Sequence, residues 1–180
     1  MGSGDKVAER ALDAYLAASA RTGDAKALAV LFRRWNGRLI AHAWRLLGDS
    51  EAAQDAAQEA WLEIARGLSR LGDPAAFPAW AYRIVSRRCA KGIGKAVQGR
   101  RIEAALADLP PVGEPAGETA ALRRAIDALP ADQRAAIALF YLEDMSVAEV
   151  AVALSVPAGT VKTRLMHARR KLRAALEGDE

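Results

Sequence analysis

The chain has 180 residues and a net charge of +4, with 52% apolar and 27% charged residues, which indicates one ordinary globular domain or two small ones. No stretch approaches the ~20 uninterrupted apolar residues of a membrane span, and the amino terminus lacks the apolar core of a signal peptide. Cys89 is the single cysteine, which excludes an internal disulfide, so we expect a cytoplasmic protein with no membrane insertion.

High alanine and low β-branched content favour an all-α fold. The first amphipathic helix is predicted over 7–20. Asp24 is a good N-cap for a second helix that ends near Gly48, and Ser50 is predicted to cap the third. Apolar residues recur at helical spacing along the second helix, at Leu28, Leu31, Trp35, Leu39, Ala43 and Leu46.

The third and fourth predicted helices differ in charge. Outward positions over residues 51–63 of the third hold acids and no base, at Glu51, Asp55, Glu59 and Glu63. The fourth is predicted to begin at about Ala75 or Pro78, and residues 81–101 contain seven Lys or Arg and no acid. One small core is therefore expected to carry an acidic helix beside a basic one.

Residues 99–120 are predicted to form a flexible linker, because their prolines and glycines do not fit a regular helix. The sequence thus predicts two small helical domains joined by a tether. The first covers 21–98 and is preceded by an N-terminal extension or first helix over 1–20. The second covers 121–177.

The most specific local pattern is SVAEVAVALSVPAGTVKTRL, residues 146–165. Ser146 and Glu149 are spaced as a capping box, Ser155 opens a turn, and Pro157 is predicted to start the next helix. A shared core of two crossing helices is indicated by Val150, Leu154, Val156, Val161 and Leu165. This pattern predicts a helix-turn-helix, whose second helix enters the DNA major groove. The alternative is a helical hairpin with a merely solvated basic face.

The second helix of this motif collects bases and no acid, at Lys162, Arg164, Arg169, Arg170, Lys171 and Arg173. Such a helix accepts like-charge repulsion, so an external anion is expected to balance it. By side-chain chemistry, Lys162, Arg164 or His167 would read base edges. Thr160 and Thr163 would contact phosphate or methyl groups, and the cluster from Arg169 to Arg173 would neutralise phosphates.

This half of the chain resembles region 4 of the extracytoplasmic-function (ECF) sigma factors of bacterial RNA polymerase. The matching positions are Leu129, Pro130, Arg134, Leu139, Ser146, Glu149 to Ala151, Leu154, Pro157, Gly159 to Leu165, Ala168 and Arg169. Thr163 stands where Ser is usual and His167 where Arg is common. The resemblance implies that the upstream (−35) promoter element contacts Pro157, Gly159, Thr160, Lys162, Thr163, Arg164, His167, Arg170 and Lys171.

The first half is similar to region 2 of the same family, a helical bundle. The matches are Leu46 to Asp49, Asp55, Gln58, Glu59 and Trp61, then Phe77, Trp80 and Tyr82 to Ile84. The resemblance implies that the third helix docks on the β′ coiled coil of core polymerase through Asp55, Gln58, Glu59, Trp61 and Leu62. A further contact with the polymerase β flap is implied as well.

The basic helix and the loop before it would hold the non-template strand of the downstream (−10) element. The implied residues are Arg70, Asp73, Phe77, Trp80, Arg83, Arg87, Arg88 and Lys91. Single-strand capture needs cations and aromatic faces, for which Phe77, Trp80 and Tyr82 are available, although burial is favoured for Trp80. Arg87 falls where the family usually has Asn, and Lys91 where it often has Asp.

Taken together, these patterns predict an alternative sigma factor that binds core polymerase and promoter DNA, with an anti-sigma factor as a further partner. No enzyme, cofactor, metal site or small-molecule substrate is expected. His42 and His167 lie in different predicted domains, and Cys89 has no matched partner for zinc or nucleophilic chemistry. The competing hypothesis is a two-domain helix-turn-helix regulator that does not depend on core polymerase.

Overall fold

The computed structural model describes residues 3–99 and 118–177, and the regular elements in these two ranges are all helical. The predicted all-α class is confirmed by these elements, and the chain forms two compact units drawn mainly from its two halves. Most of the predicted linker lies outside the described residues. Only Gly99, at the end of one helix, and residues 118–120, at the start of the next, are described.

Four α-helices are described in the first unit. They are α1 (Ser3–Arg21), α2 (Ala25–Leu47), α3 (Ser50–Gly67) and α4 (Phe77–Gly99). Two short 3₁₀ turns, Leu68–Arg70 and Pro74–Ala76, lie in the connection between α3 and α4. Helix α2 packs against both α1 and α3. Leu31 and Leu39 on its apolar face lie in a core that also contains Ile64, Phe77, Tyr82 and Val85.

The ends of α2 agree with the sequence, whereas the start of α3 differs by one residue. The Asp24 carboxylate accepts the amides of Lys26 and Ala27, at 2.9 and 3.2 Å. Gly48 ends α2 in the left-handed region, with φ of 69°. Asp49, and not Ser50, caps α3, because its backbone is extended and its carboxylate accepts the Ala52 amide at 2.8 Å.

Helix α1 is held to the first unit by polar contacts as well as packing. Asp13 is buried, and it accepts a hydrogen bond from Nε of Arg34 at 2.7 Å. At the end of α1, Nη1 of Arg21 donates to the carbonyls of Leu71 and Gly72, at 2.9 and 3.0 Å. Helix α1 therefore positions the connection that leads into the basic helix α4.

The second unit contains α5 (Glu118–Asp127), α6 (Ala131–Ile137), α7 (Val147–Leu154) and α8 (Ala158–Glu177). A π-helical turn, Ala138–Leu142, follows α6 directly. Helix α8 packs against α5 and α6. Val150, Val161 and Leu165 are buried, as the predicted helix-turn-helix requires, while Leu154 and Val156 are half-buried.

The turn between α7 and α8 is a Schellman motif. The amide of Val156 donates to the carbonyl of Ala151, and that of Ser155 to Val152, at 3.1 and 3.2 Å. Ser155 has φ of 54°, the left-handed region that favours glycine. Pro157 precedes α8 and does not begin it, because its carbonyl accepts the amide of Val161 from outside the helix.

Among the described residues, no helix combines the length and the apolar character needed to cross a membrane.

Candidate nucleic-acid and polymerase interfaces

One face of α3 gathers four of the five residues expected to dock on polymerase. Asp55, Gln58, Glu59 and Leu62 are all exposed, and their spacing places them on a single side of the helix. We call these four residues the acidic stripe. Leu62 is 59% exposed, so an apolar side chain lies among charged and polar ones.

Trp61 does not belong to this face. It is only 7% exposed, and its ring packs on Phe32 of α2 with a centroid distance of 5.0 Å. The folded chain therefore does not place Trp61 on the acidic stripe, because the ring fills the contact between α2 and α3. Phe32 is 44% exposed beside it and was missed by sequence reasoning. Its only sequence signal was an aromatic residue off the apolar stripe of α2.

Two arginines of α4 pair with acids of α3. The Arg88 guanidinium donates to Glu63 through Nη2 and Nε, at 2.6 and 3.0 Å, and to Glu59 through Nη1 at 3.1 Å. Arg87 donates to the other Glu63 oxygen. Hydrogen bonding to Glu63 raises the pKa of Arg88. The acidic and basic helices are thus partly neutralised against each other, a pairing that the separate charge patterns did not predict.

A groove of about 500 Å³ runs beside this pairing. We call it the basic groove, and it is lined by Glu63, Arg66, Gly67, Arg70, Trp80, Arg83, Ile84 and Arg87. Four of these residues were predicted to contact the downstream element, namely Arg70, Trp80, Arg83 and Arg87. Arg66 was missed because it belongs to the otherwise acidic helix α3. A Cβ atom on Gly67 would lie 3.2 Å from the Trp80 ring, so glycine lets that ring sit close.

The aromatic residues are distributed differently from the prediction. Phe77 and Tyr82 are fully buried, and each meets the Trp35 ring edge-on, with centroids 5.4 and 5.6 Å apart. Neither can offer a face to an unstacked base. Trp80, for which burial was favoured, is half-buried and lines the groove. The helical period of α4 explains why Phe77 is buried and Trp80 is not. Phe77, Ala81, Ile84 and Val85 face the core, and Trp80 lies at its edge.

Asp73 and Lys91 complete the predicted downstream set. The Asp73 carboxylate accepts the amide of Ala75 at 2.9 Å, so it caps the 3₁₀ turn before α4. Its observed contact is structural. Lys91 is exposed farther along α4. Arg88, with both of its acids, is the most constrained member of the set.

The first turns of α8 present most of the residues predicted for the upstream element. The capping box before α7 is confirmed, since Ser146 N donates to Glu149 at 2.7 Å and Glu149 N donates to Ser146 Oγ at 3.2 Å. Six members are exposed, namely Pro157, Gly159, Lys162, Thr163, Arg170 and Lys171, and Thr160, Arg164 and His167 are half-buried.

Several of these side chains already have partners. Arg164 Nε lies 3.1 Å from the Asp132 carboxylate on α6. Thr163 Oγ1 donates to the Gly159 carbonyl at 3.1 Å, and Arg170 Nη2 lies 3.3 Å from His167 Nδ1. Lys162 has no ion-pair partner among the residues that the structure describes. It is therefore the least constrained cation at the N-terminal end of α8.

Arg169 has a different environment from the one expected of a phosphate contact. Its Nε donates to the Tyr141 hydroxyl at 2.8 Å, and its guanidinium lies over the rings of Phe140 and Tyr141, at 5.8 and 5.5 Å. Cation-π contact holds this arginine on the π-helical turn. Its role in joining α8 to that turn was not predicted.

The Cys89 thiol and the His42 imidazole are both buried in the first unit, and burial disfavours the charged form of each. Burial raises the pKa of the Cys89 thiol to about 12. Burial, with a smaller effect of the Arg45 charge, lowers the pKa of His42 to about 3. His42 Nε2 shares a hydrogen bond of 2.9 Å with Ser86 Oγ. No group of three or more metal-ligating side chains occurs within the described parts of the chain.

Comparison with known proteins agrees with this two-unit organisation. The chain matches Sigma-70 region 2 over residues 31–97 and Sigma-70, region 4 over residues 119–172. The ECF RNA polymerase sigma factor SigM of Mycobacterium tuberculosis is 37% identical over 163 residues, covering 89% of this chain and 82% of that protein. The RNA polymerase sigma-H factor of Pseudomonas aeruginosa is 29% identical over 185 residues, covering 92% of this chain and 94% of that protein.

Two solved structures are similar as well. CnrH, solved in complex with the cytosolic domain of CnrY, has a TM-score of 0.62 and 25% identity, covering 94% of this chain and 99% of that chain. The sigma factor RpoE of Bartonella quintana, solved with the anti-sigma factor NepR, has a TM-score of 0.66 and 22% identity. That match covers 83% of this chain and 96% of RpoE, and it supports the fold alone.

Proposed function

Because the chain belongs to the family of ECF RNA polymerase sigma factors, we propose that it binds core RNA polymerase, directs it to promoters and starts transcription. The observation that carries this proposal is that each matched region has a cationic surface, the basic groove in one unit and the first turns of α8 in the other. Sigma factors are regulatory proteins, and we propose no catalysis, cofactor, metal or small-molecule substrate for this chain.

Docking on the β′ coiled coil would use the acidic stripe together with Phe32. Leu62 and Phe32 supply exposed apolar area, and Asp55, Gln58 and Glu59 supply a polar surround. An apolar centre within a polar rim is the usual anatomy of a protein interface. The acids favour a basic partner surface and a fast encounter. A second contact, between the C-terminal unit and the β flap, would hold that unit near the upstream element.

The basic groove would hold the non-template strand of the downstream element. Arg66, Arg70 and Arg83 are suited to its phosphates, and the half-buried Trp80 ring offers a face to an unstacked base. Lys91 would extend the cationic path along α4. Asp73 and Phe77 would act indirectly, by holding the turn and the start of α4 that position the groove.

The upstream element would be read in the major groove by the first turns of α8. Lys162 and His167 are our base-edge readers, because Arg164 is already paired with Asp132. Pro157, Gly159, Thr160 and Thr163 lie at the N-terminal end of the helix, where close approach to the DNA backbone is expected. Arg170 and Lys171 would contact phosphates farther from the groove floor.

We extend two further expectations from the family. We propose that this chain is held by an anti-sigma factor, and the similar protein CnrH was itself solved in complex with another protein, the cytosolic domain of CnrY. A protein that works with polymerase and promoter DNA would act in the cytoplasm.

The tethered two-domain division, with boundaries at 21–98, 99–120 and 121–177, would let each unit reach its own promoter element.

The competing function is a duplex-binding regulator that does not need polymerase. It would use α8 in the same way but would have no need of a groove suited to a single strand, and the basic groove therefore favours the sigma-factor function. The test is in vitro transcription with bacterial core polymerase and a library of promoters with randomised upstream and downstream elements. We expect initiation from a discrete subset of promoters. Sequence-specific duplex binding without any core-dependent initiation would instead establish the competitor.

A further inference from the structure

Glu63 has both carboxylate oxygens occupied by arginines of α4. One oxygen accepts Arg87, and the other accepts Nη2 and Nε of Arg88 at 2.6 and 3.0 Å. Glu63 is itself a wall of the basic groove, and so is Arg87. An acid therefore lies inside the surface that we assign to an anionic strand.

The arginines of the groove fall into two classes. Arg66, Arg70 and Arg83 have no acidic partner within the ranges that the structure describes, whereas Arg87 is bound to Glu63. Arg87 and Arg88 also differ from each other. Arg88 has a second acid, Glu59, at 3.1 Å, while Glu63 is the one acid paired with Arg87 in the described residues.

A phosphate and a carboxylate compete for the same guanidinium donors, because both accept paired N–H groups in the same geometry. If a strand phosphate approached Arg87 while Glu63 stayed in place, two anions would be brought together beside a partly buried site. Exchange of partners avoids this repulsion. Arg88 can stay with Glu59 and Glu63 during the exchange, so Arg87 is the side chain that is free to change partner.

We propose that Glu63 is an internal counter-ion that holds Arg87 in the free chain, and that strand binding replaces its carboxylate with a phosphate. This inference rests on the proposed function and describes how the downstream site is regulated. Glu63 lowers the affinity of the free chain for single strands, and it does so through Arg87. The contact thereby limits binding of single-stranded nucleic acid that is not presented in a promoter.

The test measures binding of the full chain to a fluorescent single-stranded oligonucleotide of mixed sequence, by anisotropy over a salt series. Glu63→Gln should bind roughly fivefold more tightly at low salt, with a salt slope steeper by about 0.7, the value for one additional phosphate contact on a single strand. Glu51→Gln is the matched control, since Glu51 is another exposed acid of α3 that pairs with neither of these arginines and lies outside the acidic stripe. Tryptophan fluorescence checks that each variant is folded.

A second comparison tests whether Glu63 acts through Arg87 or only by adding negative charge to α3. On an Arg87→Gln background, Glu63→Gln should give no gain beyond that of Glu51→Gln. The proposal is overturned if Glu63→Gln binds no better than the control, or if its gain persists without Arg87. Transcription reports separately on the proposed function. If the chain never initiates with core polymerase but Glu63→Gln shows the Arg87-dependent gain, the counter-ion proposal is supported and the proposed sigma-factor function is overturned. If the chain initiates but the gain is absent, only the counter-ion proposal is overturned.

Discussion

Nε of Arg164 lies 3.1 Å from the carboxylate of Asp132, and this ion pair joins helix α8 to α6. From sequence, Arg164 was one of three candidates for reading base edges, with Lys162 and His167. The ion pair distinguishes it from Lys162, because one edge of its guanidinium is already engaged by an acid. Lys162, two residues earlier, has no such partner among the described residues.

We therefore expect Lys162→Ala to reduce promoter discrimination at the upstream element more than Arg164→Ala does. A base-edge contact contributes about 1–3 kcal/mol, so Lys162→Ala should cost roughly tenfold in specific initiation. Arg164→Ala should mainly loosen α6 from α8, by about 0.5 kcal/mol of unfolding free energy. Transcription from promoters with single upstream substitutions, alongside thermal unfolding, measures both effects. Equal loss of discrimination in the two variants would show that Arg164 also reads bases.

The exposed leucine of the acidic stripe provides a test of polymerase docking. Leu62→Asp should weaken binding to core polymerase by about tenfold or more, because a charge at the centre of an interface is left desolvated and unpaired. Val7→Asp on α1 is the matched control, since Val7 is similarly exposed at 66% and lies outside the proposed interface. Affinity for labelled core polymerase is the measurement. If Leu62→Asp binds core polymerase as tightly as the wild type, Leu62 does not lie in the docking surface.

The buried His42 predicts loss of stability in mild acid. Its pKa is lowered to about 3 in the folded chain from an ordinary 6.5, so the unfolded chain takes up a proton first as pH falls. The stabilisation is complete above pH ~6.5 and decreases by about 1.4 kcal/mol per unit below it, or about 2 kcal/mol between pH 7.5 and pH 5.

Urea unfolding followed by tryptophan fluorescence at these two values tests this prediction, because all four tryptophans lie in the first unit. The variant His42→Gln keeps a polar group that can bond Ser86 and removes the titration. We expect it to have a lower stability at neutral pH and little pH dependence over this range. If wild type and variant lost the same stability on acidification, His42 would not be the group responsible.

The left-handed Ser155 predicts a stabilising substitution. Ser155→Gly removes a Cβ from a residue with φ of 54°, and the relief outweighs the added freedom of the unfolded chain. We expect the second unit to gain roughly 0.5–1 kcal/mol. Hydrogen exchange of the α7 and α8 amides reports on this unit, which has no tryptophan. Ser69→Gly, in a 3₁₀ turn of the first unit, is the control and should destabilise instead.

Much of the fold was predictable because its signals are local. Asp24 and Gly48 bound α2 with contacts to neighbouring residues, and Ser146 with Glu149 completes a capping box within one turn. Errors of one residue occurred where two adjacent residues were both suitable, as at Asp49 and Ser50. Helical period and capping chemistry need no knowledge of the rest of the chain, which is why they succeed from sequence.

The residue types and spacing by themselves determined that this protein is all-α, that acid-free runs of cations lie on two particular helices, and that it resembles the sigma factors. Only the tertiary structure decided which of those charges are available. Glu63 neutralises Arg87 from 24 residues away, Asp132 engages Arg164 on another helix, and Trp80 lines the groove while Phe77 is buried. Charge pairing and burial depend on which helix faces meet in space, and no local pattern contains that information.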